Sequence, residues 1–193
     1  MAGTTTKNKV KYGLENVYYS KLTGITYAAP VAIEGAVSIS LKASGDITPV
    51  YADNVEYFGF ETNNGYDGSI DFVLIPDDFR TDILAETVDA NGVVSENSDI
   101  KTSEFALMFQ FAGDVTNKRH VLYRCKCTRP NIESETTKDK PDNKNESLDI
   151  KVRPMLSGTL NHQIKASIDN STEHAVVYDA WFSQVYDSTV AAG

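Results

Sequence analysis

From Gly35 to Ile75 the chain alternates, breaks off, and alternates again. Val37, Ile39 and Leu41 interleave with Ser38, Ser40 and Lys42, the two-residue period of a half-buried strand. Ile70, Phe72 and Leu74 interleave with Ser69 and Asp71 in the same way. The pattern predicts two strands paired as a hairpin, with one face of the pair turned to the core. The intervening stretch, Ala43 to Gly68, is far longer than the roughly two to five residues that close an ordinary hairpin. It carries Val50, Tyr51, Val55, Tyr57, Phe58, Phe60 and Tyr66, too much apolar surface for a solvated loop. Residues 43–68 are therefore predicted to form an arm that buries these side chains against another copy of the chain.

Around this unit the periodicity predicts further strands. Asn16 to Ser20 reads as a short strand and Thr26 to Ile33 as an extended piece. In Phe105 to Phe111 both alternating sets are largely apolar, which predicts a central strand covered on both sides. Val121 to Arg129 returns from a loop at Gly113 to Lys118, with Val121, Tyr123, Cys125 and Cys127 assigned inward and Arg124, Lys126 and Thr128 outward. The cleanest alternation is Leu148, Ile150 and Val152 against Ser147, Asp149, Lys151 and Arg153. Gln163 to Ile168 is a further strand candidate.

Two helices are predicted: Asp78 to Ala85 after Pro76, with Phe79, Ile83 and Leu84 at helical spacing, and Glu173 to Val185, with a Val177, Trp181, Phe182 and Val185 stripe and cap chemistry at Asn170 to Thr172. Seven or eight strands without a βαβ rhythm predict a mainly antiparallel β-sandwich or barrel with one or two short flanking helices and a long hairpin arm.

At 193 residues the chain is expected to be one domain. Residues 1–11, small, polar and basic, are expected to be flexible, and residues 187–193 loose. The segment 133–146 is dense in charge and reads equally as a solvated loop or as an interface segment ordered on assembly. A net charge of −9 argues against a protein that grips nucleic acid through clustered cations. No apolar run approaches the ~20 residues of a membrane span and the polar start lacks an apolar signal core, so neither insertion nor secretion is indicated.

Candidate chemistry is sparse. Cys125 and Cys127 belong to no four-ligand zinc pattern and read as reduced packing residues. Asp77 and Asp78 read as helix-start acids rather than a catalytic pair. His120, His162 and His174 lack a partner at metal-ligand spacing, and no nucleophile elbow, phosphate loop or zincin motif is present. The expectation is that this is not an enzyme and takes neither cofactor nor metal. What the pattern offers instead is assembly material, namely open sheet edges, a polar strand face and an aromatic arm.

Several segments, in order, resemble one family. They are Lys9-Val-Lys-Tyr-Gly-Leu-Glu-Asn-Val-Tyr-Tyr19, Ile75-Pro-Asp-Asp-Phe-Arg-Thr-Asp-Ile-Leu84, Arg124-Cys-Lys-Cys-Thr-Arg-Pro130 followed by Thr136-Thr-Lys138, Leu148-Asp-Ile-Lys-Val-Arg-Pro154 and Ala180-Trp-Phe-Ser-Gln-Val-Tyr186. Together they resemble the major tail (tail tube) proteins of long non-contractile-tailed phages of Gram-positive bacteria. The resemblance implies a β-sandwich subunit that forms hexameric rings stacked into a tail tube, assembled in the host cytoplasm. Its implied partners are copies of itself and tape-measure and tail-terminator proteins, with genomic DNA passing through the lumen without specific binding and no membrane contact. It also implies that the arm and the termini bridge successive rings. By position, Ser38, Ser40, Lys42, Ser69, Asp71, Ser147, Asp149 and Lys151 are the lumen-facing candidates; Lys42 and Lys151 depart from a purely acidic or hydroxyl lining. The tube of a contractile secretion-type system is an alternative. So is a carbohydrate-binding β-sandwich using Tyr51, Tyr57 and Tyr66 as sugar platforms.

Overall fold

The computed structural model describes residues 12–113, 116–134 and 144–188. The expected N-terminal arm 1–11, most of the charged segment 133–146 and the end of the tail 187–193 lie outside the described residues. In chain order the strands are β1 (Leu14–Thr23), β2 (Thr26–Tyr27), β3 (Val31–Ala32), β4 (Ala36–Ser44), β5 (Ile47–Ala52), β6 (Val55–Glu61) and β7 (Gly65–Phe72). Helix α1 (Asp77–Asp82) follows, then β8 (Thr87–Val88), β9 (Val94–Ser95), β10 (Glu104–Phe111), β11 (Arg119–Cys127), β12 (Glu146–Val152), β13 (Lys165–Ile168) and α2 (Ala175–Asp179). The protein is mainly β, as the alternation predicts, and every strand pair among the described residues is antiparallel.

The main sheet runs β2-β1-β10-β11-β12-β7-β4, with β13 added beside β11 and β3 beside β1. It bends over on itself, so that β4 approaches β1 without joining it in the ladder. Inside the bend lies the larger core, built from Val17, Tyr19, Ile70, Phe72, Phe105, Leu107, Leu122, Leu148, Ile150 and Val152. Helix α1 closes it with Phe79, whose ring meets Tyr19 and Phe105 edge-on at 5.1 and 5.5 Å. Each such large apolar side chain contributes about 1.5–3 kcal/mol on burial. The Tyr19 hydroxyl donates to Asp82 at 2.9 Å, so its polar tip is satisfied.

The second core lies on the other face of β10 and β11. Ala106, Met108, Val121 and Tyr123 pack there against Trp181, Val185 and Leu160. Strand β10 is thus covered on both sides, which is why both of its alternating sets are apolar.

Several expectations are corrected. Strand β1 is ten residues long, twice the predicted run. It carries a bulge between Glu15 and Tyr18 with Asn16 at φ 51°, a turn-like conformation that Asn tolerates. Val37 does not face the core. A bulge between Ala36 and Ser38 turns it to solvent, and Ala36 packs inward instead. Strand β7 stops at Phe72, leaving Leu74 65% exposed while Ile75 turns inward.

On β11 the assigned inward set is split. The register with β10 slips between Phe105 and Leu107, so Val121 and Tyr123 face the second core while Leu122, Cys125 and Cys127 face the first. One extra residue inverts the alternation.

Both helices are shorter than predicted. Helix α1 ends at Asp82, with Ile83 and Leu84 buried just beyond. A 3-10 turn at Thr172–His174 leads into α2, which ends at Asp179, and neither start has a side-chain cap. Trp181 and Val185 are buried from the turn beyond its end. The predicted stripe is right in identity, and burial rather than helical periodicity holds it.

Candidate assembly surfaces

Pairing of β4, β7 and β12 puts the polar alternates in register. Ser38 lies opposite Asp71 and Asp71 opposite Ser147; Ser40 opposite Ser69 and Ser69 opposite Asp149; Lys42 opposite Asp67 and Asp67 opposite Lys151. All eight residues predicted from alternation therefore share one solvent-side face, in three rows across three strands. The reverse side of the same strands is core, where Ile70, Phe72, Leu148, Ile150 and Val152 are buried. Cross-strand neighbours on one face lie about 4.5–5.5 Å apart at Cβ, so this is a continuous polar wall.

The spacing of the wall depends on β7. A Cβ on Gly68 would collide with the Ser40 carbonyl oxygen, and one on Gly65, at φ 97°, would collide with that of Val152. Only glycine lets β4 and β12 close onto β7 at these two points.

Charge is graded along the rows. In the first row the Ser38 hydroxyl donates to Asp71 at 2.5 Å. The second row holds two hydroxyls and the Asp149 carboxylate. The third, nearest the arm, is basic, because Lys126 on β11 pairs with Lys151 and extends it. Asp67 is its acid. Arg153 donates to Asp67 at 2.6 Å, and this bond, with a further one from Ser44, holds the carboxyl below the usual range. Asp67 and Lys126 complete the wall; neither is among the lumen-facing candidates, although alternation places Lys126 outward on its strand. For Asp67 the missed signal is that the Ser69 and Asp71 spacing continues two residues backwards.

The arm leaves the far end of the wall. Its own hairpin, β5 with β6, pairs with no other strand among the described residues. Asp53 and Asn54, at φ 53° and 63°, form the two-residue turn with both centres left-handed that matches strand twist. This Asp-Asn pair is the sequence signal for the hairpin, and treating 43–68 as a single connection does not capture it.

Ile47, Val50, Tyr51, Val55, Tyr57, Phe58 and Phe60 are all exposed, Tyr57 at 78%, and Phe58 and Phe60 meet only edge to face at 5.0 Å. Tyr66 does not belong with them. It lies in β7, partly buried against the larger core, with the Lys165 ammonium 4.7 Å from its ring centre. The extremes of the predicted arm, Ala43–Ser44 and Gly65–Gly68, are likewise wall strand. Tyr66 thus cannot join Tyr51 and Tyr57 on one element as a sugar platform.

Of the remaining candidate groups, His162 and His174 are exposed and the two thiols are enclosed. Cys125 and Cys127 are free and buried, and desolvation pushes the Cys127 thiol up to about 12. His120 stacks on Phe109 at 5.3 Å. Among the described residues no group of three or more His, Cys, Asp or Glu side chains could hold a metal ion. Among them, too, no helix is long and apolar enough to cross a membrane. A scan against protein-family models found no match for this chain, and a search of curated proteins also found none.

Proposed function

We propose that the chain is a structural subunit that associates with copies of itself into rings, and that the rings stack into a tube of the phage tail type, through which DNA passes. The observation that carries this reading is the three-row wall. It is a polar face three rows deep on strands whose other side is core. In a ring, such walls from neighbouring subunits would line a bore. Hydroxyls and the carboxylates of Asp71 and Asp149 give DNA phosphates no fixed cationic partner, so a duplex slides without sticking.

The arm supplies the second requirement of a tube, a joint. An isolated two-stranded hairpin is marginal in water, and this one exposes seven large apolar side chains beyond the end of the wall. Covering them with the next subunit accounts for both facts. In this reading the protein is a component of a virion tail, and tape-measure and terminator proteins occupy the tube and its end.

Negative-stain electron microscopy of the concentrated full-length protein tests the proposal. Tubes of stacked rings are the expected result; a monodisperse monomer at all concentrations would overturn it.

A further inference from the structure

The basic third row is at odds with a non-adhesive bore, and it continues into a groove. Beside the wall, Ile100, Lys101, Thr102, Arg124, Lys126 and Lys151 line a cleft of about 670 Å³ whose remaining lining includes Arg129, Arg153 and one carboxylate, Glu104. Glu104 is committed to Arg124 at 2.9 Å, Arg153 to Asp67 at 2.6 Å, and Arg129 to Glu96. Lys101, Lys126 and Lys151 make no ion pair among the described residues and are exposed. Three ammonium groups without an ion pair among the described residues thus sit together on a chain of net charge −9.

The arm has the opposite character. From Asp46 to Asn64 it contains Asp46, Asp53, Glu56 and Glu61 and no Lys or Arg. Its tip, Tyr51 to Tyr57, combines two carboxylates with two exposed tyrosines and Val55. No arm residue lines the groove of its own chain.

We infer that the groove is the socket for the arm tip of a second copy of this chain. Asp53 and Glu56 meet Lys101, Lys126 and Lys151. Tyr51 and Tyr57 lie on the lysine stems and the arginine planes, where aromatic rings and cations attract. The volume accommodates a few side chains, so it takes the tip and leaves Phe58 and Phe60 for the surface around it. Docking covers Lys126 and Lys151 and offsets most of the positive charge of the groove; of the third row, Lys42 stays outside the socket, opposite Asp67. The inference deepens the assembly reading and rests on it only in that copies must associate.

The test is sedimentation of the full-length chain in three forms: wild type, Lys126→Glu with Lys151→Glu, and Asp53→Asn with Glu56→Lys. Asn at 53 keeps a residue that tolerates the left-handed turn. All substituted positions are exposed, and circular dichroism verifies folding. Wild-type association is expected to weaken as NaCl rises from about 0.01 to about 1 M, over which the Debye length falls from about 30 to about 3 Å. Each variant alone is expected to associate about 100-fold more weakly, and an equimolar mixture of the two is expected to recover association, because each arm then finds an oppositely charged groove.

Association with this charge pattern but without tubes would sink the tube reading and support the socket. Tubes from the groove variant alone, or a mixture no better than its components, would overturn the socket and leave the tube. Loss of binding to a short DNA duplex in the groove variant, with self-association unchanged, would overturn the socket and assign the groove to nucleic acid.

Discussion

The guanidinium of Arg80 on α1 donates two hydrogen bonds, each 3.0 Å, to the carboxylate of Glu146 at the start of β12. Glu146 also accepts the backbone N–H of Ile75 at 2.8 Å. One partly buried carboxylate therefore ties the helix, the chain entering it and the first residue of a wall strand. Hydrogen bonds to a charged group contribute more than neutral ones, and removing the acceptor strands the donors. Glu146→Ala is expected to cost about 2 kcal/mol, read as a lower urea midpoint with unchanged slope.

Replacing Gly45 to Asn64 by a two-residue Asn-Gly turn joins Ser44 to Gly65, which are already paired across β4 and β7. Nothing in the two cores is removed by this change. The shortened chain is expected to keep its circular dichroism spectrum and cooperative melting but to form no tubes under negative stain. Tubes of normal length would show that the arm is not the joint.

Exchanging Asp71 and Asp149 for Lys places cations in the first and second rows of the wall. Neither side chain is buried, so folding and tube formation are expected to persist. Fixed cations in the bore would hold phosphates, and DNA release from particles carrying the variant is expected to slow by at least about tenfold at low salt, with the difference shrinking as salt rises. Unchanged release would place these residues outside the bore.

The buried thiols give a pH prediction with a definite sign. In the native state burial raises the Cys127 pKa from 9.0 to about 12, and Cys125 is raised by burial as well. The folded state thus excludes thiolates that the unfolded chain forms freely. This contribution is complete below about pH 9 and declines as pH rises toward 12. The melting temperature is expected to fall over that window, and substitution of both cysteines by Ala should shallow the slope. A thiol reagent at pH 8 is expected to label neither cysteine until denaturant is added.

Legibility varied with how local the cause was. Leu148, Ile150 and Val152 were readable because an unbulged strand with one wet face obeys a strict period of two. The polar face of the wall was readable for the same reason, since β4, β7 and β12 keep their register across all three rows. Val37 and the pair Val121 and Tyr123 were not readable. In each case a bulge inserts one residue and shifts neighbouring side chains to the opposite face, and the insertion answers to the partner strand rather than to the residues themselves. The second helix failed differently. Val177, Trp181, Phe182 and Val185 have helical spacing, but Trp181 and Val185 are buried from a non-helical turn because the face of β10 and β11 needs covering.

By itself, the sequence determined the β class, the central position of Phe105 to Phe111, the polar alternates of the wall and the presence of an apolar arm, because hydrophobic period and burial are properties of consecutive residues. Only the tertiary structure decided that Tyr66 belongs to strand β7, on its core side, rather than to the arm, and that Asp67 and Lys126 complete the basic row of the wall. It alone drew Lys101, Lys126 and Lys151 into one groove. Those lysines are as many as 50 positions apart in the chain, and strand pairing, a relation between distant segments that neither segment encodes alone, is what brings their charges together.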